Sequence, residues 1–405
     1  MNLFGGASVG QPLRVPRVTQ EFFPVVSGPA NQALAISREL EWRGIVSPIL
    51  TTTAGEPTTP LEGVTVHRFQ PMVAAPNFRP SLPLQRMLLH MPATLFHVHG
   101  WRNPVSDGAI LAAWQRGIPL VVQAHGVAYG YRYSSEALPL RTVRRAYDAL
   151  MRPVVTRAAA LAIAGTQLEA EELRMYGFPA DKIVVIPVGV DEHFFSMPCP
   201  AHMHNDAAFT LLTVGRLGPR RNVEQIIRAL ALLRAWGIPA HLRVVGPEVR
   251  LAAGEVAGYR QQLEALAHRL GVAHAVTFTG PLHGQALRDE YRAADVFVYT
   301  TLYENFGQPM AEAAASGLPL VATPTGVAPE LVGNDAGFLV PFHDAIATAT
   351  ALQTLYLSPE HYERCRLTAQ HRAAREFRWA TIGQRYCQLY TEITERNKPK
   401  ALCYG

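Results

Sequence analysis

The sequence is short of lysine, of cysteine and of long apolar runs, and each shortage narrows what the protein can be. Lys182, Lys398 and Lys400 are the only lysines among 37 basic residues, so nearly every cationic side chain is an arginine. The four cysteines, Cys199, Cys365, Cys387 and Cys403, show no pair spaced as in a metal knuckle, and nothing at the N-terminus reads as a secretory signal. No apolar run approaches the roughly 18 to 20 residues that span a bilayer, since even 154–164 is broken by Arg157. A soluble protein in a reducing cytoplasm is the expectation. There is no G-x-G-x-x-G, which argues against a dinucleotide oxidoreductase, and no Asp-x-Asp pair, heptad repeat or low-complexity block.

What is present points to two packed domains. A chain of 405 residues with 48% apolar and 17% charged residues exceeds one ordinary core and is too apolar for disorder. Its net charge of +5 suits phosphate-bearing ligands or an anionic membrane surface and calls for no nucleic acid. β-Branched runs alternate with amphipathic segments, the pattern of parallel sheets covered by helices on both faces. The expected strands are 14–19, 46–51, 64–69, 94–97, 120–123, 161–164 and 183–186, then 209–214, 242–245, 276–278, 296–299, 318–322 and 338–340. Residues 196–207 are polar, turn-forming and aperiodic, and read as a linker. The expected class is therefore α/β, with two doubly wound Rossmann-like domains facing a central cleft. Residues 1–195 form the first domain and 208–378 the second. Ligands of such sheets bind beyond the carboxyl ends of the strands, so motifs that follow strands carry the most weight.

The strongest motif runs from Thr301 to Pro319, after the apolar strand at 296–299. Glu304 falls in the strand-to-helix loop, where a carboxylate can accept hydrogen bonds from sugar hydroxyls. Asn305, Phe306 and Gly307 then offer free backbone N–H groups at a helix start. Glu312, inside the helix, is placed to reach a diol such as ribose. Standing alone, Glu304 reads equally as a helix-capping carboxylate and Glu312 as a surface charge. A second motif, Gly215-Arg216-Leu217 followed by Arg220 and Arg221, ends another strand. A basic pair there can neutralise a diphosphate, or can simply be solvated. Gly28 precedes a helix and lets the backbone approach a ligand closely. His97, His99 and His125 lie at strand ends, and His125 is on the cleft edge. Metal binding is the weaker reading of these histidines, because no carboxylate or cysteine stands at helpful spacing.

Glu304, seven residues, then Glu312, with Phe-Gly after the first and Gly-x-Pro after the second, resembles the donor motif of family 4 retaining glycosyltransferases of the GT-B fold. The resemblance extends from about Arg14 to about Tyr390 and includes the segments around Gly189, Gly246, Gly280 and Trp379. It implies transfer of a sugar, a hexose being expected, from a nucleoside diphosphate to an acceptor hydroxyl, with the anomeric configuration retained. It further implies that Glu304 meets the sugar and Glu312 the ribose, and that His125 meets the sugar or its phosphate. By the same resemblance Arg216 and Arg221 take the diphosphate, and the backbone near Leu282 meets the base. Residues 1–195 would then be the acceptor side and 208–378 the donor side, with a C-terminal helix within 379–405 returning to the first domain.

The chain departs from the family pattern at three positions. Asn305 replaces a glycine, Arg221 stands in place of a lysine, and Ser27 stands where a first glycine is usual. The acceptor would be a sugar, a polysaccharide or a lipid-linked molecule. The basic amphipathic stretch 141–152 reads as a solvated helix face or as a peripheral contact with the inner membrane face. A nucleotide-sugar epimerase of the same architecture and a non-catalytic nucleotide-sugar binding protein are the rival readings.

The missing Asp-x-Asp pair and the arginine-rich turn lead to an expectation of no metal and no cofactor. Transfer should survive excess chelator. Loss of activity in chelator with recovery in magnesium or manganese would contradict charge neutralisation by arginine.

Overall fold

The computed structural model describes residues 12–397, apart from 26, 74, 76–77, 127–137, 197–207 and 249–257, and without the side chains of 138–141. The expected linker thus lies, from residue 197, outside the described residues, as do Cys199 and Cys403.

The first half holds strands β1 (Arg17–Thr19), β2 (Ile49–Thr51), β3 (Thr58–Leu61), β4 (Val64–Arg68), β5 (Phe96–His99), β6 (Leu120–Gln123), β7 (Leu161–Ala164) and β8 (Ile183–Val185). They form one sheet in the order β3-β4-β2-β1-β5-β6-β7-β8, parallel except for the β3–β4 pair. Its helices are α1 (Gly28–Trp42), α2 (Leu82–His90), α3 (Pro104–Arg116), α4 (Leu138–Ala158), α5 (Gln167–Tyr176) and the single turn α6 (Glu192–Phe195).

The second half holds β9 (Phe209–Val214), β10 (Ala240–Val245), β11 (Val276–Gly280), β12 (Val296–Tyr299), β13 (Leu320–Ala322) and β14 (Gly337–Leu339), all parallel in the order β11-β10-β9-β12-β13-β14. Helices α7 (Val223–Ala235), α8 (Tyr259–Arg269), α9 (Gly284–Ala293), α10 (Gln308–Ala315), α11 (Ala328–Val332), α12 (Ala345–Leu357), α13 (Pro359–Glu376) and α14 (Trp379–Arg396) follow. The fold is two Rossmann-like domains.

Local chemistry sets the helix ends. Ser27, Ser81, Asn103 and Thr166 each cap a helix by accepting a backbone N–H three residues on, as expected for short oxygen-bearing side chains at an N-cap. Ser27, at a position where the family resemblance expects glycine, is thus used to start α1. Each sheet buries an apolar cluster on either face. α14 leaves the second half and packs Ile382, Tyr386, Tyr390 and Ile393 against Val15, Ile36 and Leu40 of the first.

Several strand bounds differ from expectation for definable reasons. β1 begins at Arg17 because Pro16 has no N–H to give a ladder, although its carbonyl still accepts from His97 at 3.1 Å. The strand expected at 94–97 lies at Phe96–His99, which places both histidines inside the sheet. β3 was not expected at all. It is a four-residue antiparallel edge strand that contains Pro60 and alternates exposed and half-buried residues, so it carries no apolar run to read. Among the described residues, no helix is long and apolar enough to cross a membrane.

Candidate functional site

Both sheets direct the carboxyl ends of their strands at a shared cleft of about 470 Å³. Gly28, Gln32, His125 and Glu169 line it from the first half, and Glu304, Asn305, Phe306, Gly307 and Glu312 from the second.

The second half contributes an ion pair. Arg221 ends a short 3-10 turn after β9, and Glu304 lies in the loop after β12, the strand hydrogen-bonded beside β9. Arg221 donates to Glu304 Oε2 and to the Tyr299 hydroxyl, and that hydroxyl donates to Glu304 Oε2 at 2.9 Å. The other carboxylate oxygen accepts from the Asn305 N–H at 3.1 Å. The paired side chains are only 14% and 15% exposed. Burial pushes the Glu304 carboxyl up, but the Arg221 charge and the two donated hydrogen bonds outweigh it and hold the group below the usual carboxylate range. Gly215 lies against this pair with φ 154°, a backbone conformation that side-chain-bearing residues rarely adopt.

Eight residues after Glu304, Glu312 projects from α10 and accepts from the Tyr291 hydroxyl at 2.9 Å. Burial raises it to about 7, against the opposing effect of the Tyr291 bond. Gly307 takes φ 94° at the N-cap of α10, a left-handed conformation that suits glycine. The first turn of the helix, with its positive dipole end, therefore opens beside the cleft.

Asn305 joins the halves. Its Nδ2 donates to the His125 carbonyl at 3.0 Å, and its own carbonyl accepts from Thr166 Oγ1 at 3.4 Å. A Cβ on Gly126 would sit 2.0 Å from Asn305 Oδ1, so the turn beneath the asparagine must be glycine. Buried Glu169 secures that turn by accepting the Gly126 N–H at 2.5 Å and the Gly165 N–H at 2.6 Å. Asn305 Oδ1 is buried and has no hydrogen-bond partner among the described residues.

The structure therefore gathers Gly28, His125, Glu304, Asn305, Phe306, Gly307 and Glu312 around one cleft, with Gly215 and Arg221 behind Glu304. Arg216 is exposed on the loop after β9 and does not line the cleft, and Leu282 packs on the apolar cluster of the second half. Sequence reasoning missed Tyr299, Tyr291 and Glu169. Tyr299 ends an apolar strand and was findable on that ground; Glu169 sits in an ordinary helical pattern and was not. Among the described residues, no group of three or more histidine, cysteine or carboxylate side chains could hold a metal ion. A second cavity, of about 850 Å³, lies within the first half beside Trp101, Arg102, Asp107 and Tyr147, and meets the cleft at His125.

Comparison with known proteins gives consistent matches. The family described as glycosyl transferases group 1 matches residues 200–372, and the glycosyl transferase 4-like domain matches 27–189. The D-inositol 3-phosphate glycosyltransferase of Xylanimonas cellulosilytica is 33% identical over 316 residues, covering 74% of this chain and 72% of that protein. Its counterpart in Stackebrandtia nassauensis is 30% identical over 393 residues, covering 90% and 86%. Among solved structures, Anabaena HepE in complex with UDP and glucose superposes with a TM-score of 0.72 at 20% identity, covering 94% of this chain and all of that one. Sucrose-phosphate synthase from Thermosynechococcus elongatus gives 0.73 at 20% identity, covering 95% of this chain and all of that one. These two likenesses establish the fold.

The raised Glu312 value has a thermodynamic sign. A carboxyl whose folded value lies above its unfolded one favours folding when protonated, and that contribution is lost as pH rises through the folded value near 7. Glu312→Gln, neutral at every pH, should raise the melting temperature of the ligand-free protein by a few degrees at about pH 8 and leave it near wild type at about pH 5. Equal shifts at both pH values would contradict the assignment.

Proposed function

The chain belongs to the group 1 glycosyl transferases, and on that premise we propose that its cleft moves a sugar from a nucleoside diphosphate to an acceptor hydroxyl with retention of the anomeric configuration. One observation carries the reading: the loops after two adjacent strands bring a guanidinium and a carboxylate together, and that carboxylate lines the cleft with a second one on the helix that follows.

In this reading Arg221 turns from Glu304 to the diphosphate when donor binds, because a guanidinium can grip phosphate oxygens through two hydrogen bonds. Glu304, released, accepts from hydroxyls of the sugar, and Glu312 accepts from the ribose. The start of α10 adds its dipole to the charge developing on the leaving group. The bond from the anomeric carbon to the diphosphate breaks, a bond to the acceptor oxygen forms, and the acceptor proton passes to the leaving phosphate. No protein nucleophile and no metal ion is required in this scheme. Uridine diphosphate sugars are the first donors to test, since the Anabaena neighbour holds UDP.

The acceptor enters from the first half, through the cavity that meets the cleft at His125. There Arg102 is held by Asp148 at 2.7 Å and Asp107 accepts from Tyr147 at 2.5 Å, so these two charges are partnered within the protein, while Glu21 and Arg144 also line the wall. Hydroxyl recognition of a sugar or polyol fits such a wall. The D-inositol 3-phosphate named for the relatives, a polyol that also carries a phosphate, is an acceptor to test. Helix α4 exposes Val143 (64%) and Leu150 (72%) on the same segment as Arg144 and Arg145, which supports peripheral contact with an anionic membrane surface.

The adjacent arginines test the assignment. Arg221→Ala should cost about 3 kcal/mol of transition-state stabilisation, roughly a hundredfold in turnover. Arg220→Ala should stay within a few-fold of wild type, because Arg220 engages the Thr301–Leu302 loop through its backbone carbonyl, which substitution retains. Glu304→Gln should lower turnover far more than it weakens binding of the bare nucleotide, and Glu312→Ala should weaken that binding as well. A crippled Arg220→Ala beside a healthy Arg221→Ala would overturn the proposal for this turn.

A further inference from the structure

A chain of hydrogen bonds runs from the interior of the first sheet to the cleft, and its direction is set at the buried end. Arg17, wholly buried in β1, directs Nη1 at His97 Nδ1 (3.3 Å) and at His99 Nε2 (3.2 Å), and Nη2 at the Tyr390 hydroxyl (2.8 Å). A guanidinium can only donate, so the imidazole nitrogens it meets carry lone pairs. His99 must then hold its proton on Nδ1, which lies 2.9 Å from His125 Nε2. His125 Nε2 accepts that proton's hydrogen bond, and the proton of His125 itself resides on Nδ1. The two ring planes lie within 22° of each other with centroids 5.2 Å apart, as an in-plane N–H···N bond requires.

The alternatives collide. A doubly protonated His125 would set its Nε2–H against the Nδ1–H of His99, and His99 cannot reverse without aiming an N–H at the guanidinium. Burial works in the same direction, lowering His97 and His99 well below the ordinary value and His125 to about 3. His97 is a side branch. Its Nδ1 also receives the Tyr390 hydroxyl at 2.6 Å, which leaves its proton on Nε2.

Resting on the reading of the cleft as the place of transfer, we infer that Arg17, itself out of contact with any ligand there, is a positioning residue that fixes His125 as a neutral hydrogen-bond donor. Nδ1–H is the one ring group that His125 can offer. It serves a hydroxyl or phosphate oxygen of the bound molecules and cannot take a proton from the acceptor. That division of labour fits a reaction in which the leaving phosphate receives the proton.

The test is histidine-selective nitrogen NMR of the full chain without ligand, with resonances assigned from His99→Asn and His125→Asn spectra. Both rings should appear neutral and protonated at Nδ1. Protonation of either at Nε2, or a charged ring at neutral pH, would overturn the inference. Because no substrate is present, the result is independent of the reaction: a confirmed tautomer in a protein that transfers no sugar would count against the proposed function alone. Arg17→Met removes the obligate donor and should let both rings redistribute between tautomers. In the transfer assay it should lower kcat about tenfold, less than loss of a direct donor, with the donor KM within about twofold. Arg17→Lys, also donor-only, should restore the wild-type tautomer pattern. An unchanged tautomer pattern in folded Arg17→Met would remove Arg17 from the account, and if that variant does not fold, the wild-type spectrum still decides.

Discussion

The buried pair between Arg221 and Glu304 depends on strand order. β9 runs first, β10 and β11 follow on one side of it, and the chain then crosses back to lay β12 on the other side. At such a reversal the loops leaving the two neighbouring strands part in opposite directions and leave a crevice. Arg221 and Glu304 sit in the loops after β9 and β12 and face each other there. Two opposite charges in so sheltered a place contribute little net stability, but removing one partner strands the other, at a cost of about 3 to 5 kcal/mol. The arrangement is therefore better suited to holding charge ready for a ligand than to holding the fold together.

The first sheet repeats the logic. Its order reverses between β1 and β5, and Arg17 and His99 lie on those two strands. Each half thus supplies an arginine at its own reversal. Arg221 stands behind Glu304, which itself lines the cleft, and in the proposed reaction it exchanges that carboxylate for a phosphate. Arg17 is enclosed by imidazoles and by the phenols of α14, with its guanidinium 5.5 Å from the Tyr386 ring and 5.9 Å from that of Tyr390, so it acts only through His99. Between them Asn305 closes the gap over Gly126 by bonding across the halves.

Much of this was legible in the sequence, because doubly wound sheets announce themselves by apolar strands followed by capped helices. The strands at 120–123, 161–164, 209–214 and 296–299 coincide with β6, β7, β9 and β12, all of them inside their sheets and largely apolar and buried. β3 escaped because an edge strand needs no apolar run. The residues of the motif after β12 are adjacent in sequence, and their gathering follows from one loop. Arg17, Tyr390 and the histidines come from β1, α14, β5 and the loop after β6, and no spacing rule connects residues 373 positions apart. Asn305 could be seen as a departure from the family glycine, but its bond to the His125 carbonyl depends on how the two halves meet.

The central claim is glycosyl transfer at the cleft, and the most direct measurement is an assay of nucleotide release across a panel of nucleoside diphosphate sugars and hydroxyl acceptors, with the product's anomeric configuration read by NMR. The account predicts acceptor-dependent release of a nucleoside diphosphate and a product whose anomeric configuration matches the donor's. An inverted product, or an altered sugar that remains on its nucleotide without any acceptor, would contradict it.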